Sequence, residues 1–104
     1  MPYEIQFADT AIGHLAELTA RERSTVIDSI ENQLSHEPLV ETRNRKLLRP
    51  NPIASWELRA GALRVFYDVA TTEAPTGTAS VVRVLAVGKK ERNVLRIGGK
   101  VVEL

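Results

Sequence analysis

Cysteine is absent from this chain of 104 residues, and long apolar runs are absent as well. Without thiols the chain forms no disulfides and offers no thiolate ligands to a metal. No apolar segment approaches the roughly 20 residues needed to cross a bilayer. The first ten residues, MPYEIQFADT, lack the basic and apolar regions of a secretory signal. These absences predict a cytoplasmic protein that has no membrane partner.

Internal repeats and low-complexity segments are also missing, and the length is usual for one domain. We therefore expect a single domain over residues 1–104. A domain of this size buries roughly 60–70% of the surface that its unfolded chain exposes. A deep enclosed pocket is not expected, so a functional site should lie on an open surface or in a groove.

Charge is distributed unevenly along the chain, although the net charge is only +1. Residues 1–42 carry two basic and eight acidic side chains, whereas residues 43–104 carry twelve basic and five acidic ones. This asymmetry favours an interaction with a polyanion or an acidic partner. The alternative is that the two halves neutralise each other across an internal contact.

The first third of the chain predicts one strand followed by two helices. Apolar residues alternate over residues 3–7, which is typical of a half-buried strand. Asp9 or Thr10 is predicted to cap a first helix. A capping box at residues 19–22 is predicted to start a second helix, which Pro38 ends. Residues 37–53 contain three prolines and are predicted to be irregular.

The remainder predicts strands joined by hairpins. The stretch WELRAGALRVFYDV at 56–69 reads as two strands, and SVVRVLAVG at 80–88 as a third, after a loop at 71–78. The tail is predicted to begin with a helical turn, to turn at Gly98-Gly99 and to end in a short strand. The fold class is therefore α+β, with two N-terminal helices packed on one face of a small, mainly antiparallel sheet of about four strands.

The central hairpin places charged side chains on one side. A two-residue turn at Ala60-Gly61 would pair Leu58 with Leu63 and Glu57 with Arg64. Trp56 and Tyr67 then point to the core. The opposite face carries Glu57, Arg59, Arg64, Phe66 and Asp68. On position alone this face is either a solvated sheet surface or a binding surface, and Phe66 among charges favours the second, as in surfaces that stack bases.

Further basic residues flank the hairpin on both sides. They are expected to form a positive groove around the open face of the sheet. His14 and His36 are far from this region in sequence and are expected to be surface or capping residues. The flanking cations are Arg43, Arg45, Lys46, Arg49, Lys89, Lys90, Arg92 and Arg96.

The run ELRAGALRVFYDV, followed about twenty residues later by VLAVGKKER, resembles the RelE/ParE superfamily of bacterial toxins. The order of a strand and two helices before this run also matches, so the resemblance covers nearly the whole chain. It implies the toxin of a type II toxin–antitoxin module, with a cognate antitoxin protein as partner. RelE-like members cut mRNA on the ribosome without a metal or other cofactor, and ParE-like members inhibit DNA gyrase.

The resemblance also implies roles for individual residues. Arg64 matches the family arginine that contacts the scissile phosphate, and Lys90 matches a second phosphate-contacting cation. Glu57 stands where some relatives have a glutamate as general base. Arg59 and Arg92 are supporting phosphate contacts, with surface charge as the alternative. Expected RNA-binding residues are Arg59, Arg43, Arg45, Lys46, Arg49, Lys89, Arg92 and Arg96.

The sequence leaves the target of such a toxin open. RelE-like enzymes have lysines before the hairpin turn, where this chain has Trp56 and Glu57, and the aromatic residue of some family tails is replaced by Leu95 and Arg96. A ribosome-dependent mRNA endoribonuclease is therefore one hypothesis. A ParE-like gyrase inhibitor, or a catalytically weakened toxin that acts by binding, is another. An unrelated small α+β binding module is a third.

Overall fold

The computed structural model describes residues 3–74 and 77–103. Strand β1 (Glu4–Phe7) precedes two helices, α1 (Asp9–Ala16) and α2 (Ala20–Leu34). Neither of these helices is long and apolar enough to span a bilayer, and no other helix in the described residues is. The later strands are β2 (Arg45–Leu47), β3 (Trp56–Ala60), β4 (Leu63–Ala74), β5 (Gly77–Glu91), β6 (Val94–Ile97) and β7 (Lys100–Val101).

All seven described strands belong to one sheet, in the order β2-β3-β4-β5-β6-β7. Strand β1 pairs in parallel with residues 81–84 of β5, and the other neighbours are antiparallel. The α+β class and the mainly antiparallel sheet with two helices are confirmed. The expected number of about four strands is too small, because residues 37–53 contain β2 and the tail forms β6 and β7.

Helix α2 begins at the predicted capping box. The side chain of Thr19 accepts a hydrogen bond from the Glu22 amide at 3.1 Å, and the Glu22 carboxylate accepts one from the Thr19 amide at 3.0 Å. Helix α1 differs from the prediction, because Ala8 occupies its cap position and no side chain caps it. The Thr10 hydroxyl instead donates to the carbonyl of Leu85 on β5, at 2.9 Å.

The main core lies between the helices and one side of the sheet, which we call the helix face. Apolar side chains at every second position of β3, β4 and β5 meet α1 and α2 there. Trp56 and Tyr67 both lie in this core, as predicted, and their rings stack with centroids 6.1 Å apart. The hydroxyl of Tyr67 donates to the carbonyl of Pro38 at 2.6 Å, so this buried polar group is satisfied. Fully buried members of the core include Val26, Leu34, Leu58, Val65, Tyr67, Val82 and Val84.

The β3–β4 hairpin keeps the predicted faces but not the predicted register. Its turn consists of Gly61 and Ala62, so Leu58 pairs with Val65 and Glu57 with Phe66. Gly61 has φ of +62°, which a glycine at the first turn position adopts without strain. The predicted Ala60-Gly61 turn shifts the pairing by two positions. A shift of two preserves the period of a strand, and the same side chains therefore face the core.

The tail forms two hairpins where a helical turn was predicted. Arg92 and Asn93 both have positive φ, as do Gly98 and Gly99, so each pair makes a tight two-residue turn between antiparallel strands. The Gly98-Gly99 turn was predicted. The predicted loop at 71–78 is strand at residues 71–74 and 77–78, and residues 75–76 lie outside the described residues.

The opposite side of the sheet, which we call the far face, is partly covered. Residues 48–54 and the β6–β7 tail pack a second apolar cluster over it. Phe66 lies at the centre of this cluster with no exposed surface. The expectation that Phe66 is exposed for stacking is wrong, because Ala54, Leu95 and Ile97 pack over it. The sequence gives no sign of this packing.

On the edge of β5 opposite β4, residues 85–87 pair with neither β1 nor β6. Helix α1 packs against β5 at this break in the strand pairing. Strand β1 ends its pairing at Val84, and β6 begins at Gly88. In this gap the Val87 amide donates to Nδ1 of His14, at 3.2 Å. His14 therefore acts as a hydrogen-bond acceptor that ties α1 to the strand, in addition to the Thr10 contact.

Substituting His14 with Leu should destabilise the protein by about 1–3 kcal/mol, because the partly buried Val87 amide loses its acceptor. Substituting it with Asn should cost less, since the Asn carbonyl oxygen can take the place of Nδ1. Urea unfolding of the three proteins measures both effects. Equal losses for His14→Leu and His14→Asn would show that packing, and not the hydrogen bond, is what His14 contributes.

Lys89 connects β5 to α2. Its Nζ lies 2.7 Å from Oε2 of Glu22 and 3.5 Å from Oε1 of Glu91. The hydrogen bond from Lys89 is the main reason that the pKa of Glu22 lies below its ordinary value, and the Thr19 amide adds to it. The same contact raises the pKa of Lys89.

The depressed pKa of Glu22 makes stability depend on pH. The contact stabilises the fold above the ordinary glutamate range, and its contribution is lost as the pH falls through the lower folded pKa. The melting temperature of the wild type should therefore fall more than that of Glu22→Gln between about pH 7 and about pH 3. Glutamine also serves in a capping box, so the helix start is preserved. Parallel pH curves would contradict the assignment.

Candidate nucleic-acid interface

The far face contains a polar groove with a volume of about 360 Å³. It lies where β3 and β5 approach the end of the chain. Two of the predicted catalytic residues, Glu57 and Lys90, take part in it. The groove is lined by Glu57, Lys90, Asn93, Leu95, Val102 and Glu103.

Glu57 is held between two arginines. Its Oε1 accepts a hydrogen bond from Nε of Arg59 at 2.9 Å, and Nε of Arg64 lies 3.9 Å from the same oxygen. Glu57 and Arg64 are thus close enough for an ion pair, although they are not the cross-strand partners that the sequence predicted. Arg59 and Arg64 are the partners. Like charges in such a pair repel, and the carboxylate between them offsets that repulsion.

Arg64 is positioned by the hairpin turn that precedes it. Its Nη1 donates to the carbonyls of Gly61 at 2.6 Å and Leu63 at 3.0 Å. Its side chain is 13% exposed, against 42% for Arg59. Burial lowers the pKa of Arg64, Glu57 opposes this shift, and Arg59 adds to it. Arg64 remains a cation, because arginine is not deprotonated in proteins.

Lys90 is exposed and lies on the same face as Arg64. Its amide donates to the carbonyl of Ala62 at 2.7 Å, so β5 continues beside the β3–β4 turn. Gly88 lies within β5. A Cβ at Gly88 would lie 2.6 Å from the carbonyl oxygen of Arg96, and glycine is therefore required for the close approach of β6.

Four other predicted RNA-binding cations are exposed around this side or at nearby turns. Lys46 pairs with Glu57 across β2 and β3, which places it on the far face. Arg49 is exposed in the segment 48–54 that covers Phe66. Arg92 lies in the turn beside Asn93, and Arg43 lies in the loop before β2.

Three predicted RNA-binding cations lie on the helix face and do not join the groove. Arg45 is 7% exposed and donates to the carbonyls of Gln33 and Val40, so it ties α2 and the following loop to β2. Lys89 is paired with Glu22, and Arg96 is its partner on β6. The expectation that all the cations gather on one face is wrong for these three, because alternate residues of a strand point to opposite sides.

Two polar residues of the groove, Asn93 and Glu103, were not singled out from the sequence. Asn93 occupies a left-handed position in the β5–β6 turn, which asparagine tolerates better than most residues. The sequence offers a weak signal for that turn, but none that places Glu103 near Glu57. His14 lies away from the groove; it was expected to be a surface or capping residue, but it instead ties α1 to β5.

The groove combines groups that suit an anionic ligand with a group that can accept a proton. Lysine and arginine contact phosphate oxygens through charge-assisted hydrogen bonds. A carboxylate beside them can act in acid–base chemistry. No cluster of three or more histidine or acidic side chains suited to a metal ion occurs in residues 3–74 and 77–103.

Comparison with known proteins adds one structural relative. No protein-family model matches the chain, and no curated protein sequence matches it significantly. Its fold is similar to a chain in the crystal structure of the toxin–antitoxin complex RelBE2 from Mycobacterium tuberculosis, with a TM-score of 0.63 and 28% sequence identity. The similarity covers 86% of this chain and 100% of that one. This fold similarity supports the resemblance to the RelE/ParE superfamily that was seen in the sequence.

Proposed function

We propose that this protein is the toxin of a type II toxin–antitoxin system and acts as a ribosome-dependent mRNA endoribonuclease that inhibits translation. The observation that carries the proposal is the groove that Lys90 and Glu57 both line, next to Arg59 and Arg64. The similarity to a chain of the RelBE2 toxin–antitoxin complex supports it.

In the proposed reaction the ribose 2′-OH attacks the adjacent phosphate. A bond forms between the 2′ oxygen and phosphorus, and the bond from phosphorus to the 5′ oxygen breaks. Glu57 takes the 2′ proton, and water returns a proton to the departing 5′ oxygen. Lys90, Arg59 and Arg64 stabilise the charge that develops on the phosphate. These steps require no cofactor.

Lys90 and Arg59 are the cations best placed to meet RNA first. Both are exposed, whereas Arg64 lies deeper and is oriented by the Gly61 and Leu63 carbonyls. Such orientation reduces the reorganisation that a phosphate contact would require. Lys46 and Arg49 extend the positive surface beyond the groove and are proposed to contact the RNA backbone.

The proposed protein partner is a cognate antitoxin. An acidic or amphipathic segment fits the far face, because it would neutralise the exposed cations there. The RelBE2 structure is itself that of a toxin bound to its antitoxin. Ribosome and mRNA are the other proposed partners.

A binding-type toxin, directed at DNA gyrase or weakened in catalysis, is the second candidate. It is favoured by the ion pair that joins Glu57 to Arg59 at 2.9 Å, because the carboxylate oxygen in this pair already accepts a hydrogen bond. It is also favoured by the two carbonyls that already occupy Nη1 of Arg64.

Lys90→Ala should lower transcript cleavage by about tenfold to hundredfold, because it removes an exposed phosphate contact. Lys89→Ala is the matched control. It removes the same charge from the adjacent residue, but on the helix face. Induced expression of each variant, followed by mapping of transcript ends, measures the effect. Equal losses for both variants would contradict a site confined to the far face.

Glu57→Gln should lower cleavage by about 100-fold or more if Glu57 is the general base, while the shape of the side chain is preserved. Growth arrest and transcript integrity are measured in the same cultures. Growth arrest that persists with intact transcripts in both the wild type and the variant would reject the nuclease and favour the binding-type toxin.

A further inference from the structure

We propose that the groove also holds one nucleobase of the RNA, and that Glu103 selects a base with an exocyclic amino group. The inference rests on the proposed function, since it names a feature of the RNA that this site would take. Adenine, cytosine and guanine carry such an amino group, and uracil does not. Recognition of single-stranded RNA commonly combines contact with the face of a base and hydrogen bonds to its edge.

The size and the lining of the groove suit one nucleotide. A volume of about 360 Å³ lies in the range of roughly 300–1,000 Å³ in which proteins bind small molecules. Leu95 and Val102 supply the apolar part of the lining, and both pack against the cluster around Phe66. Because Phe66 itself is fully buried, aliphatic side chains provide the surface for the face of the base.

The polar part of the lining is suited to the edge of the base. Asn93 can donate and accept hydrogen bonds, and its backbone position is set by the tight β5–β6 turn. A Glu103 carboxylate only accepts, so it favours an edge that presents N–H donors. At the position where cytosine has its amino group, uracil presents a carbonyl oxygen, which a carboxylate repels. The N3–H group is then the only donor that uracil offers on this edge.

Glu103 is better suited to this role than Glu57. The Oε1 atom of Glu57 already accepts from Arg59 and lies near Arg64. No ion pair to Glu103 is found within residues 3–74 and 77–103. The backbone just before it is fixed, since the Val102 amide donates to the Leu95 carbonyl at 2.9 Å. Lys90, in the same groove, offsets the repulsion between Glu103 and the RNA phosphates.

Binding of short RNAs tests the inference. Cytosine and uracil oligonucleotides of about eight residues match in ring size and charge, and that length suits a single-strand site. Fluorescence anisotropy should show that the purified full-length protein binds oligo(C) about tenfold more tightly than oligo(U), as one charged hydrogen bond predicts. Glu103→Ala should reduce this ratio to about twofold or less. Glu31→Ala, on the exposed surface of α2, should leave it unchanged.

The ratio is the informative quantity, because removal of a negative charge raises the affinity for every RNA. Equal affinity of the wild type for both RNAs, no binding of either, or a ratio that survives Glu103→Ala would each overturn the inference. A cytosine preference that depends on Glu103, in a protein that cleaves no transcript in cells, would support the base subsite and reject the proposed nuclease.

Discussion

The antiparallel pairing of β3, β4 and β5 determines which side chains can act together in this protein. Leu58, Val65 and Val87 lie side by side in this pairing and are covered by the helices. Their burial fixes the side of the sheet on which every neighbour lies, since a shift of one position would bury charged residues instead. Arg59, Arg64 and Lys90 share the far face for this reason.

On the far face, ion pairs hold Arg59 and Arg64 next to Glu57. Two arginines opposed on neighbouring strands would repel each other, and Glu57 lies where its carboxylate reaches both. The group is only partly exposed, so its charges are less screened by water and salt than those of a typical surface ion pair. Glu57 therefore has a structural role in addition to its proposed catalytic one. The exposed cations nearest to the groove are Lys90, which lines it, and Arg59, which is paired with Glu57.

The apolar cluster around Phe66 limits the open area of the far face. Residues 48–54 approach it from one side and the β6–β7 tail from the other. The groove lies beside the tail, and residues 48–54 do not line it. Both Lys90 and Glu57 line this groove, which is where the proposed nucleotide and its phosphates would bind. The tail contributes Glu103 and Val102 to that place.

Much of this arrangement follows from local patterns in the sequence. The capping box at Thr19 depends on residues three positions apart, and the Gly98-Gly99 turn depends on two adjacent glycines, so neither needs the rest of the fold. The two faces of the central hairpin also follow from period-two alternation. The predicted faces are correct although the predicted turn is not, because the observed register differs from the predicted one by two positions, which is one full period of a strand.

Other features depend on contacts between distant parts of the chain, and only the tertiary structure decided them. Neighbouring cations lie on opposite faces because they belong to strands. Arg45 and Lys89 face the helices, whereas Lys46 and Lys90 lie on the far face. The burial of Phe66 and the position of Glu103 depend on where the tail returns across the sheet. The sequence determined the alternation within each strand, whereas the packing of strands and tail determined which charges meet, because those contacts join residues far apart in the chain.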